Sequence, residues 1–284
     1  LNRNRGRVRD KGVAHDRWDG AGPGAPGSAD TTRCAPDWLA LREPADAAAR
    51  AAELLTPLRR WLGDRPAPLV VRDLGAGTGS MGRWLAPRLG VPQHWVLHDR
   101  DPGLLARASV RGATFETRCG ELDGLDLTGT SLLTASALLD LLTPSDVDTI
   151  ADACAAAGCA ALLTLSVAGR VELTPADPLD ADLTAAFNAH QRRGALLGPD
   201  AIAVATWAFE RRGAVVHRAP SPWRLGPEQR ELTEQWFRGW VAAARLQEPW
   251  LDTEAYTRRR LAACAAGELE VVVHHTDLLA IGAR

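Results

Sequence analysis

A chain of 284 residues, 46% of them apolar, is long enough to bury a sizeable α/β core. Its net charge of −2 supplies no overall electrostatic reason for a nucleic-acid partner, and no apolar run is long enough to span a bilayer. Five scattered cysteines (Cys34, Cys119, Cys154, Cys159 and Cys264) form no metal-ligand spacing, and their odd number suits free thiols in a reducing cytoplasm.

Residues 1–36 read as a solvated tail. Arg3, Arg5, Arg7 and Arg9 alternate with small or polar residues, and Gly22 to Gly27 alternate glycine with proline or alanine. Order is expected from Asp37, which is placed to cap a helix carrying Trp38, Leu39 and Leu41. Pro44 predicts a break or the first turn of a second helix, which the spacing of Leu54, Leu55, Leu58, Trp61 and Leu62 carries to Leu62. Pro57 predicts a kink there.

From Leu69 strands and helices alternate. Leu69–Leu74 predicts a first strand, followed by a glycine loop and a helix over Ser80–Ala86. His94–His98 is the second strand. Asp101-Pro102 then opens a helix with an N-cap aspartate and proline at the first helical position. Further strands are expected near Ala113–Arg118, Ser131–Ala135, Ala160–Val167, Ala214–His217 and Leu269–His274, with helices at Asp146–Ala157 and Asp200–Arg212. This alternation predicts a mainly parallel sheet covered on both faces. Residues 169–199 and 219–267 interrupt the rhythm and read as mostly helical. The second stretch carries Trp236, Phe237, Trp240 and Trp250, too much apolar surface for an exposed loop, so both are expected to form a cap over the ligand-binding edge.

The most informative segment is Asp73-Leu74-Gly75-Ala76-Gly77-Thr78-Gly79, at the carboxyl end of the first strand, the edge where open α/β sheets bind ligands. A dinucleotide fingerprint needs G-x-G-x-x-G or A, but here the glycines run G-x-G-x-G, with Ser80 in the last small position. Asp73, two residues ahead of the first glycine, suits a cationic ligand better than a pyrophosphate. Asp99 ends the second strand about 20 residues beyond the loop, where an acid receives ribose hydroxyls.

With Val96-Leu97-His98-Asp99 and Asp101-Pro102, this segment resembles the class I S-adenosylmethionine-dependent methyltransferase family. The resemblance runs in layout from Asp37 to the C-terminus, although only its first half carries specific motifs. It implies a Rossmann-like α/β fold with a seven-stranded, mostly parallel sheet, S-adenosylmethionine as cofactor, and a methyltransferase domain over residues 37–284. By the same resemblance Gly75, Ala76, Gly77 and Gly79 line the methionine part of the cofactor. Asp73 holds its amino group, Asp99 binds both ribose hydroxyls, Glu121 with Leu122 meets the adenine, and Arg100 beside Asp99 is a further cofactor contact. Asp123 competes with Glu121 for that role. Ala135 lies where the fourth strand reaches the transferring methyl group.

The acceptor side is less defined. Ala135-Ser136-Ala137-Leu138-Leu139-Asp140 contains no N-P-P-Y or D-P-P-Y motif, so nothing there indicates amide or exocyclic-nitrogen methylation. Asp140 is a candidate to orient the acceptor or take its proton. Alternatively it caps a short helix or pairs with Arg42 or Arg50. His190 is a candidate general base because its pKa lies near neutrality. Asn188, Arg192 and Trp223 are candidate acceptor contacts, with plain helix-surface polarity the alternative for the residues around His190. Arg42, Asp46 and Arg50 fall on one face if their helix is continuous, as a salt-bridged face or as part of a closure over the cofactor. No metal is expected, since His274-His275 are adjacent on a strand and point to opposite faces.

The leading reading is a cytoplasmic methyltransferase acting on a small-molecule acceptor in a covered pocket, as a monomer or homodimer. An RNA or protein methyltransferase is the alternative, given the arginine pairs and triplet at Arg192-Arg193, Arg211-Arg212 and Arg258-Arg259-Arg260. A non-catalytic cofactor-binding module is a third.

Overall fold

The computed structural model describes residues 34–122 and 124–282. The expected tail lies largely outside the described residues, as does Asp123. Eight strands form one sheet: β1 (Leu69–Leu74), β2 (Gln93–Asp99), β3 (Thr114–Cys119), β4 (Leu132–Ser136), β5 (Ala160–Thr174), β6 (Ala214–Pro220), β7 (Trp223–Leu225) and β8 (Glu270–Gly282). Their order is β3-β2-β1-β4-β5-β8-β6, with β7 also paired to β8. The first five run parallel, and β8 lies antiparallel to β5, β6 and β7. The sheet expected from the sequence is therefore present, with one additional short strand, β7.

The helices are α1 (Pro36–Ala49), α2 (Leu55–Leu62), α3 (Ser80–Leu89), α4 (Pro102–Leu105), α5 (Pro144–Ala157), α6 (Asp180–Gln191), α7 (Ala201–Glu210), α8 (Arg230–Gln247) and α9 (Glu254–Ala266). Buried apolar groups from α2 and α3 pack on one face of the sheet, and those from α5 and α7 on the other. The central strands β1, β4 and β5 are largely buried and mostly apolar, with Asp73 and Thr134 among the buried polar exceptions.

Several boundaries differ from the sequence reading. Pro44 lies inside α1, and the N-cap is Ala35, with Asp37 inside the first turn. The chain breaks instead at Arg50 and Ala51, where the Ala51 amide donates to the buried carboxylate of Asp277 at 2.9 Å. That carboxylate also accepts from the Leu165 amide (2.7 Å) and the Ser221 hydroxyl (2.5 Å), so a single acid fastens the α1–α2 junction to β5 and β8. Pro57 falls in the first turn of α2, where its missing N–H is tolerated. Residues 169–174 are strand, not helix, because β5 continues past Gly169 to pair with the first half of β8.

The two insertions supply α6, α8 and α9. Their apolar side chains form a third cluster with Trp38 of α1, in which Trp236 and Trp240 stack at 5.5 Å. Within it Arg260, buried on α9, donates to both oxygens of Asp180 at 2.7 Å, and the Tyr256 hydroxyl donates to the same carboxylate. Trp250, expected inside, is 77% exposed. No helix among the described residues is long and apolar enough to cross a membrane.

Candidate active site

At the carboxyl ends of β1, β2, β3 and β4 lies a cavity of about 410 Å³. Its walls come from α1 (Leu39, Arg42, Asp46), the loop after β1 (Gly75 to Thr78), the end of β2 with the turn after it (His98 to Asp101), Gly120 to Leu122, and residues 136–138 with Leu141.

The loop is shaped by local backbone demands. Gly75 and Gly77 hold φ of +62° and +55°, a left-handed region that side chains disfavour. A Cβ on Gly77 would stand 3.1 Å from Leu39 and one on Gly75 3.2 Å from Leu138, so both glycines let the walls approach closely. Gly79 is different. It is not among the lining residues, and a Cβ there would meet the Ser109 carbonyl at 2.5 Å, so it is needed to seat the loop on the protein itself. Asp99 organises the loop from the neighbouring strand. One of its oxygens accepts from the Gly77 amide (2.8 Å) and the other from the Asp101 amide (2.9 Å). Asp101 in turn caps α4, as its sequence context predicts.

Asp73 stands at the cavity floor, on a strand flanked by β2 and β4. One carboxylate oxygen accepts from the Thr134 hydroxyl at 2.7 Å, and the other is buried without a partner. Burial raises its pKa from the ordinary 3.8 to about 7, against the lowering effects of Thr134 and Arg50. A buried acceptor lacking a donor is costly unless a ligand or water completes it.

Across from the loop, Arg42 donates to Asp46 through Nε (3.0 Å) and Nη2 (3.2 Å), and its guanidinium lies 4.9 Å from the Trp223 ring centroid. Trp223 Nε1 donates to the same Asp46 at 3.0 Å. Arg50 does not continue this face. It reaches under the cavity to Ser80 (3.3 Å) and Ser136 (3.1 Å). Ala137, in the wall, is held at φ +51°, a strained conformation for a residue with a side chain.

Of the sequence-predicted residues, Asp73, Gly75, Ala76, Gly77, Asp99, Arg100, Glu121 and Leu122 line this one cavity. Ala135 is buried in β4 beside the lining Ser136. Asp140 lies in a short helical turn (Leu139–Leu141) that gives Leu141 to the wall. It is buried with Oδ1 unpartnered, and burial lifts its pKa to about 6 while Arg42 and Arg193 pull it down. Asp140 itself, His190, Asn188, Arg192 and Trp223 are not among the lining residues, although Asp140 is one position from the lining Leu141. His190 is half-buried on α6, and Asn188 donates to the Gly169 carbonyl at 2.7 Å. Arg192 forms a two-point pair with Asp200 at 2.6 and 2.9 Å. Trp223 is buried behind Arg42, so it reaches the site only through α1. Arg42 and Asp46 form the ion pair that their spacing suggests and stand in the wall, while Leu39 and Cys34 are wall residues for which the sequence offers no local motif.

No protein-family model and no curated protein matches this chain. Solved structures do. The phosphoethanolamine N-methyltransferase 2 of Haemonchus contortus is 15% identical with a TM-score of 0.41, over 82% of this chain and 52% of that one. The present chain therefore spans about half the length of that enzyme. A cyclopropane synthase of Mycobacterium tuberculosis is 12% identical with a TM-score of 0.47, covering 87% and 94%. A SAM-dependent methyltransferase of Geobacter sulfurreducens, solved with S-adenosylhomocysteine, is 15% identical with a TM-score of 0.41, covering 88% and 99%.

Proposed function

We propose that this chain is a class I S-adenosylmethionine-dependent methyltransferase acting on a small-molecule acceptor. The observation that carries the reading is the free, buried oxygen of Asp73 at the floor of a cavity whose glycine loop leaves room for a ligand. An ammonium group satisfies that oxygen, whereas a pyrophosphate would be repelled by it. Asp99 uses one lone pair of each oxygen on the Gly77 and Asp101 amides and keeps the others for a vicinal diol. Glu121 and Leu122 stand in the same wall and suit an amino-bearing aromatic base.

The bound cofactor supplies a methyl group already activated on a sulfonium, so the protein's task is alignment and exclusion of water. Leu39, Leu138 and Leu141 provide the apolar surface for that task. Asp140 is the group we assign to receive a proton from the acceptor, since its turn adjoins the wall and its raised pKa keeps it a usable base near neutrality. His190 is the weaker candidate, because its helix gives no residue to the wall.

Calorimetric titration of the full chain with S-adenosylhomocysteine tests the reading. Micromolar to submillimolar binding that Asp73→Asn weakens is expected. No binding at millimolar concentration would sink it.

A further inference from the structure

The walls of the cavity are unevenly charged. Asp46, Asp73, Asp99, Asp101 and Glu121 face two arginines, Arg42 and Arg100. Under the functional reading above, Asp73, Asp99 and Glu121 serve the cofactor, which leaves α1 and the 136–141 segment to meet the acceptor.

That side is mostly apolar, with Leu39, Ala137, Leu138 and Leu141. Its one cation, Arg42, is already engaged. Asp46 takes two of its N–H groups, Trp223 covers a face of the guanidinium, and Asp140 adds a second negative charge nearby. Arg50 lies outside the wall, 3% exposed; one of its nitrogens bonds Ser80 and Ser136, Nε and Nη1 are buried without a partner, and the charge stands in the field of Asp46, Asp73 and Asp277. Among the described residues, therefore, the acceptor side of the wall presents no cation that lacks a carboxylate partner. An anion brought there would lose its hydration and find the one wall cation already paired with Asp46. The volume adds a second limit. About 410 Å³ lies near the lower end of small-molecule sites, and it must hold cofactor and acceptor together.

We infer that the acceptor is a compact, mainly apolar molecule whose nucleophilic group is uncharged or cationic, an amine or a hydroxyl, and that phosphorylated and carboxylated compounds are turned away. Arg42 and Asp46 act here as specificity determinants.

The test uses the full chain loaded with S-adenosylhomocysteine and three probes of equal tail length: hexylamine, hexanol and hexyl phosphate. Calorimetry should show the amine or the alcohol binding at least about tenfold more tightly than the phosphate. Asp46→Asn, which releases Arg42, should narrow that gap. Arg42→Met should leave the phosphate as weak as in the parent chain, and this variant decides the matter if Asp46→Asn does not fold. Hexyl phosphate binding as tightly as the others, none of the probes binding at millimolar concentration, or a loss of phosphate affinity in Arg42→Met would overturn the inference. A chain that fails to load S-adenosylhomocysteine refutes the functional reading instead, so the two failures are distinguishable.

Discussion

Thr134 donates to Asp73 across the two central strands at 2.7 Å, and the other oxygen of the same carboxylate is left buried without a donor. The fold thus holds an acid half-satisfied at the floor of its cavity. Burial keeps that acid protonated up to about pH 7, and a cation placed against it would draw the proton off.

Affinity for S-adenosylhomocysteine should therefore rise as pH rises through 7. Asp73→Asn should weaken binding by on the order of tenfold or more above that pH and flatten the dependence. Stability should run the opposite way in the ligand-free chain. The unfolded chain ionises this group near 3.8 and the folded chain near 7, so its contribution favours folding fully below 3.8 and is lost as pH rises to 7. Denaturant titrations on either side of pH 7 should show Asp73→Asn more stable than the parent on the alkaline side.

Gly77 and Gly79, with only Thr78 between them, should separate cleanly in role. Gly79→Ala places a Cβ 2.5 Å from the Ser109 carbonyl at φ +85° and should destabilise the fold by roughly 2 kcal/mol or more. Gly77→Val should cost less stability and abolish cofactor binding, because its side chain enters the space beside Leu39. Urea unfolding and calorimetry on each variant check the pair.

Asp99→Ala removes the acceptor for the Gly77 and Asp101 amides together with the expected ribose contact. Cofactor affinity should fall by about 1–3 kcal/mol. Asp99→Asn, which keeps one carbonyl acceptor, should fall between the two. An affinity unchanged in Asp99→Ala would remove this residue from the site.

The Asp180–Arg260 pair offers a control remote from the cavity. Arg260→Ala leaves a half-buried carboxylate without its cation and should cost about 1–3 kcal/mol of stability. The folded fraction should still bind S-adenosylhomocysteine with parental affinity, measured well below the lowered unfolding midpoint.

With an acceptor that supports turnover, Asp140→Asn should lower the rate by roughly a hundredfold and leave cofactor affinity intact. His190→Ala should change neither by more than about twofold. The reverse pattern would restore His190 as the base.

The half of the cavity that we assign to the cofactor is legible in the sequence because its determinants are local: Asp73 through Gly79 and Asp99 through Asp101 are short segments whose residue types answer backbone and charge requirements directly. The acceptor half is not. Asp46 and Trp223 meet across 177 positions, and nothing around either residue announces the other. The lengths of β5 and β8 were likewise hidden. Val171 to Thr174 continue β5 beyond Gly169, and His275 to Gly282 carry β8 past two adjacent histidines, so each strand runs on through residues that read as its end. Arg50 illustrates the same limit. Its spacing from Asp46 suits a helical ion pair, but Asp277 ends the helix first by capturing the Ala51 amide.

Helix α1 is both roof and wall: Leu39, Arg42 and Asp46 face the cavity, while Trp38 is embedded among the outer helices and Glu43 is clasped by Arg83 at 2.5 and 2.7 Å. Whatever fills the cavity adds to the grip on this segment, and whatever loosens the segment drains the cavity. Occupancy and the docking of residues 36–49 are thus one thermodynamic variable, so ligand should shield this stretch from proteases before it alters anything deeper in the sheet.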